Sequence, residues 1–199
     1  MSELNFDIAR SAIAERVSAS SLEHCEATAA TAESLAKVYS VDPHGAYLAG
    51  LLHDWAREDA SAYLIRRAQE IGVPVGPVEM AVPYLLHADV GAYDLGARFA
   101  GISPTVLGAI RRHTLGAVSM SELDMVVYIA DMIEPGRRYE GATRLRSLVG
   151  DVTLFELYAS SYQMSFRQLI RERKHLHPTT VDAWNAIVDA MPEQWIQVS

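Results

Sequence analysis

The stretch Ala46 to Arg57, AYLAGLLHDWAR, decides how the rest of the chain is read. At helical spacing Tyr47, Leu48, Leu51, Leu52 and Trp55 form a wide apolar face, while Ala46, Ala49 and Gly50 are small enough for another helix to approach closely. His53 and Asp54 sit beside that face. Neighbouring helical residues diverge by about 100°, so the two side chains cannot stack, but they could grip one ion lying between them. Asp42 and Pro43 open the helix as an N-cap carboxylate followed by a proline whose missing N–H costs nothing there, and the pattern predicts a helix to about Glu58.

Working outward, Leu22, Cys25, Ala29, Ala32, Ala36 and Tyr39 step by three and four and predict an earlier helix, with Ser20 and Glu23 at capping-box spacing. Start signals recur at Ser103–Pro104, at Ser119 with Glu122, and at Pro178 with Thr179 and Thr180. Stop signals fall at Gly72, Gly101, Gly116 and Glu134–Pro135–Gly136. These marks delimit nine to eleven helical segments, and no alternating β-branched run offers a sheet. The expected fold is all-α, a single compact helical bundle, with an N-terminal helix over 1–19 and the main domain over 20–190. Irregular stretches are expected at Val73–Val78 and Arg137–Gly141.

The chain of 199 residues carries 17 Lys and Arg against 25 Asp and Glu, a net charge of −8. A surface of that sign does not attract nucleic acid or anionic lipid, so an anionic ligand must be captured locally. The one cysteine excludes an internal disulfide and any multi-cysteine metal site, and suits a reducing compartment. No apolar run approaches the roughly 20 residues of a membrane span, and no basic segment followed by an apolar core marks a secretory signal. The expectation is a soluble cytoplasmic protein without nucleic-acid or membrane partners.

Some polar residues are not explained by the apolar faces. His24 lies on a stripe with Thr28, Thr31 and Leu35, beside the apolar seam of its helix. Asp131 lies in MVVYIADMIEPG among Ile129, Ala130, Met132 and Ile133, where a carboxylate is costly to bury without a positive partner. Each has an ordinary reading taken singly: a surface or hydrogen-bonded histidine, a paired helix charge. His87 and His113 likewise suit helix C-termini, where the dipole favours histidine. Arg57, one helical turn beyond His53, and Arg137, just past the end of the Asp131 helix, are solvated cations or bidentate donors to phosphate. Arg138, Arg144 and Arg146 read as surface charges.

Taken together, the order His24, then His53–Asp54, then Asp131 resembles the HD superfamily of metal-dependent phosphohydrolases. The resemblance implies that these four residues bind a divalent metal. The set LAGLLHDWAR, LLHADVGAY, AIRRHTLG, YIADMIEPGR and HPTTVDAWN, over about residues 20 to 190, is similar in order and spacing to the YqeK-type HD hydrolases. That family cleaves diadenosine tetraphosphate symmetrically into two ADP. The resemblance therefore implies attack of a metal-activated water on an inner phosphorus. It also implies iron as the metal, with manganese or zinc as alternatives that the imidazole and carboxylate ligands equally suit. Asp54 would be ligand and water-orienting group. His87 and His113 would bind a second ion, or would act in catalysis by holding the attacking water or, with Arg57, Thr114 and Arg137, the phosphate oxygens. The chain departs from the family in HDWAR where HDIAK is usual, and in HTLG where HTTG is common.

A nucleotidase or other nucleoside-phosphate hydrolase on the same metal site, and a non-catalytic nucleotide sensor, are the rival readings. An exposed helical face could support a homodimer.

Overall fold

The computed structural model describes residues 5–191. Residues 1–4, the start of the expected N-terminal helix, lie outside that range. Eleven helices and no strand occur among the described residues: α1 Phe6–Ala14, α2 Ala19–Val38, α3 Pro43–Leu52, α4 Ser61–Glu70, α5 Pro77–Ala81, α6 His87–Arg98, α7 Pro104–Arg112, α8 Glu122–Ile133, α9 Glu140–Leu148, α10 Leu154–Arg171 and α11 Pro178–Ala190, with a 3₁₀ turn at Pro83–Leu86. The all-α expectation holds. No helix among these residues is long and apolar enough to cross a membrane.

The centre of the molecule is α2 against α3, with α8 and α7 packed alongside. The predicted α2 stripe faces inward: Cys25, Ala29, Ala32 and Ala36 are fully buried. Its small residues bring α3 so close that a Cβ built on Gly50 would stand 2.9 Å from the Ala29 Cα. The same pair of helices brings the His24 and His53 rings together, 5.1 Å apart between centroids. α8 lies across the same pair and brings Asp131; α7 closes the other side and ends at His113, its C-cap.

Several local expectations are corrected. α2 is capped by Ser18 rather than Ser20, because Ser18 Oγ receives the Ser21 N–H and is itself tied to Glu58 at 2.7 Å. α8 is capped by Ser121 with Asp124 as the reciprocal partner, not by Ser119 with Glu122. α3 stops at Leu52, not Glu58: the Trp55, Arg57 and Asp59 amides donate three residues back, to Leu52, Asp54 and Ala56, so residues 53–59 run on as tight turns. His87 begins α6 instead of ending a helix, because Pro83 opens the 3₁₀ turn that leads into it. Of the two irregular stretches, Pro77 already starts α5 and Glu140 already starts α9.

Candidate metal centre

Four histidines converge, and each is aimed by a bond from Nδ1. The His53, His87 and His113 rings donate to the carbonyls three residues earlier, Gly50 at 2.7 Å, Tyr84 at 2.5 Å and Ile110 at 2.7 Å. The first and third of these carbonyls lie in the last turn of a helix, where acceptors lack intrahelical partners. His24, in the second turn of α2, uses the Glu134 carboxylate at 3.2 Å instead. With the Nδ1 proton so engaged, each neutral ring presents its Nε2 lone pair to the centre.

Asp54 divides these lone pairs into two groups. Its Oδ2 faces His53 Nε2 at 3.5 Å and His24 Nε2 at 3.9 Å, and Asp131 Oδ1 completes that side at 3.0 Å from His24 and 4.0 Å from His53. Its Oδ1 faces His87 Nε2 at 3.1 Å and His113 Nε2 at 3.7 Å, and those two nitrogens are 3.1 Å apart. Thr114 Oγ1 stands 3.0 Å from His113 Nε2 and 3.4 Å from His87 Nε2. His53, Asp54, His87 and His113 are buried; His24 and Asp131 are half-buried.

Such a gathering of acceptors is unfavourable without something positive among them. His53 Nε2 is buried and has no hydrogen-bond partner at all. On the other side two imidazole nitrogens confront one carboxylate oxygen. Two groups of three, His24–His53–Asp131 and His53–Asp54–His113, have donor atoms mutually close enough to hold an ion. Borderline nitrogen and hard oxygen donors fit a divalent transition metal.

The carboxylates and two of the rings titrate as a cation site requires, whereas His24 and His113 move the other way: burial lowers both, but the Asp131 carboxylate at His24 and the Asp54 carboxylate at His113 outweigh it and raise them. Burial pushes the Asp54 carboxyl up, but the His53, His113 and His87 rings outweigh it and hold the carboxyl below its usual range. Burial likewise opposes ionisation of Asp131, which His24, His53 and Arg137 reverse. Burial lowers His53 to about 4 and lowers His87, keeping both neutral and fit to ligate.

The arginines are placed differently from each other. Arg137 donates from Nη2 to Asp131 Oδ1 at 2.6 Å and from Nε to the Asp131 carbonyl at 2.9 Å. Arg57 is exposed, with Nε 3.9 Å from Asp54 Oδ2, and it reaches the centre from a turn rather than from the helix face the sequence suggested. Arg138 and Arg144 are surface residues as expected, but Arg146 is not. Its half-buried guanidinium donates to the carbonyls of Ile133, Glu134 and Arg137 at 2.6–2.7 Å, clamping the end of α8 and the turn behind it. Sequence reasoning missed this, and missed Glu134 as the support of His24. The Glu–Pro–Gly stop signal marked the turn but not the carboxylate's direction; its side chain folds back to the Gly136 N–H and His24.

The HD domain family matches residues 21–136. A protein of Halalkalibacterium halodurans named symmetrical bis(5'-nucleosyl)-tetraphosphatase is 30% identical over 169 residues, 83% of this chain and 88% of its own. One of the same name from Bacillus subtilis is 32% identical over 165 residues, 79% and 84% of the two chains. The crystal structure of a predicted HD superfamily hydrolase involved in NAD metabolism from Clostridium acetobutylicum superposes with a TM-score of 0.88 at 28% identity, covering 96% of this chain and all of that one. The match spans both the histidine helix and the Asp131 helix, and with these relatives it shows that the chain belongs to the HD domain family of metal-dependent phosphohydrolases.

Proposed function

We propose that the chain hydrolyses bis(5'-nucleosyl) tetraphosphates, diadenosine tetraphosphate above all, into two nucleoside diphosphates. Residues 20–190 are the catalytic unit, and the cytoplasm is the site of action. The observation that carries this reading is the division of the Asp54 carboxylate between two sets of converging lone pairs, with a buried, unpartnered His53 Nε2 in one of them. His24, His53, Asp54 and Asp131 hold one divalent ion; Asp54, His87 and His113 hold a second. The names of the relatives support the substrate and the symmetry of cleavage. A bound transition metal, iron in the first instance, supplies Lewis-acid charge to phosphoryl oxygens and acidifies a water.

The rest is done by the chain itself. Buried carboxylates and neutral imidazoles make a cradle that is attractive to a polyanion only once cations occupy it, which reconciles a net charge of −8 with a polyphosphate substrate. Arg57, exposed at the rim between Asp54 and the Tyr84 ring, can fork onto phosphate oxygens, and Arg137 reaches them from the Asp131 side. Thr114 offers a hydroxyl donor beside the His87–His113 pair and can orient the attacking water or a phosphate oxygen. Water adds to an inner phosphorus, the central P–O–P bridge breaks, and two diphosphates leave.

The test is to incubate metal-replete protein with diadenosine tetraphosphate and resolve the products by ion-exchange chromatography. ADP alone supports symmetrical cleavage. AMP with ATP contradicts it, and no turnover of any nucleotide leaves the sensor reading. Elemental analysis of protein purified without chelators or affinity-tag metals identifies the ion, and an Asp54→Ala variant that kept both metal and activity would remove the site.

A further inference from the structure

Two exposed tyrosines stand at opposite ends of the cluster. Tyr84, 44% exposed, is built onto the His87–His113 end. Its carbonyl takes the His87 Nδ1 proton, its ring lies 6.3 Å from the His87 ring at 24° from parallel, and the Arg57 guanidinium lies 4.7 Å from its ring centroid. Tyr139, 40% exposed, is built onto the Asp131 end. Its hydroxyl donates to the carbonyl of Met132, the neighbour of Asp131, at 2.7 Å, and it follows Arg137 by two residues.

An exposed ring beside an arginine is not by itself a site. Tyr93 has Arg67 5.1 Å from its ring, but Arg67 is spent on Asp94, and neither residue touches the histidine cluster. Tyr84 and Tyr139 differ from it: Tyr84 sits in the turn that leads into His87 with Arg57, which faces Asp54, over its ring, and Tyr139 is anchored on the α8 carbonyl next to Asp131, two residues after the Arg137 that faces Asp131.

We propose that Tyr84 and Tyr139 are two base platforms, each stacking one nucleobase of a dinucleoside polyphosphate whose phosphate bridge crosses the cluster between them. The inference rests on the nucleotide reading above and extends it to what sets the register of the bridge. A tetraphosphate looks the same along its length, so phosphate contacts alone do not choose which bond lies over the centre. A ring at each end does, because seating both bases centres the bridge on Asp54, and the middle linkage is then the one cut. Stacking of this kind accepts any planar base, so the platforms select for two nucleosides more than for adenine.

The experiment uses the metal-loaded chain and the variants Tyr84→Leu, Tyr139→Leu, Tyr84→Phe and Tyr139→Phe. The measurements are KM for diadenosine tetraphosphate, and calorimetric Kd for ADP and for inorganic tripolyphosphate, the base-free probe. Each leucine variant is expected to raise KM and to weaken ADP at its own end by roughly 5- to 100-fold, as the loss of one stacking contact does, while ADP at the other platform binds as in wild type. The phenylalanine variants stay near wild type, and tripolyphosphate binds all forms alike. Leucine variants that leave KM and ADP binding unchanged overturn the platforms. Equal weakening of tripolyphosphate and ADP also overturns them, since it makes the tyrosines structural props of His87 and Asp131. Wild-type protein that binds ADP no better than tripolyphosphate would bring down the nucleotide reading itself, a result distinct from a silent Tyr84→Leu in an enzyme that prefers nucleotides.

Discussion

His24 is the one cluster histidine whose orientation depends on a side chain, since Glu134 holds its Nδ1 while main-chain carbonyls hold the other three. Removing that carboxylate frees the ring to turn without touching the ligand itself. Glu134→Ala is expected to lower metal affinity roughly 10- to 100-fold, a typical effect of losing such a support, measurable by competition with a chromophoric chelator. Cys25, the adjacent residue, tests burial more directly. It is fully inaccessible, and desolvation with the nearby Asp54 and Asp131 charges pushes its thiol well above the ordinary range. A thiol-reactive disulfide reagent should therefore leave the folded protein untouched and titrate one thiol after denaturation. Fast reaction under native conditions would contradict the packing of α2.

At the scale of helices, the α2–α3 contact sets the spacing of the centre. Gly50→Ala places a methyl group against the Ala29 backbone, which cannot yield as a side chain could, and should cost roughly 1–3 kcal/mol in urea unfolding, with weakened metal binding. Arg146→Met strips three carbonyls of their guanidinium and should cost about 1–3 kcal/mol, loosening the turn that carries Glu134 and Arg137. Periodicity and caps made most helices legible, because the α2 stripe and the Asp42–Pro43 start depend on local chemistry alone. What misled was also local. Apolar spacing continues through Trp55 and Ala56 although the helix has ended, since both residues are buried by tertiary packing and not by lying on a helical face. Arg146 could not be read as a clamp from its own surroundings, because its acceptors lie nine to thirteen residues upstream in a turn whose path only the fold defines.

For the molecule as a whole, the proposed ligands come from separated parts of the chain, His24 on α2, His53 at the end of α3, and Asp131 on α8, so an ion bound there would tie together the three helices at its centre. A metal held by them would therefore contribute to global stability. At an ion concentration 100 times Kd the linkage is about 2.7 kcal/mol, and chelation should lower Tm by roughly 5–10 °C for a chain of this size, reversibly on re-addition. The four histidines and two aspartates were visible as types in order, yet the split of Asp54 between two sides was not, because which carboxylate oxygen faces which ring depends on α7 folding back over α3. The carbonyls behind His53, His87 and His113 have one more consequence, which concerns how the centre withstands genetic drift. Main-chain acceptors are supplied by whatever residue occupies the position, so no single side-chain change at Gly50, Tyr84 or Ile110 deletes them. The aiming bonds of these three rings thus survive substitution at the acceptor positions, where the limit is set by packing, as at Gly50 against Ala29, whereas the bond that aims His24 is lost with the Glu134 side chain.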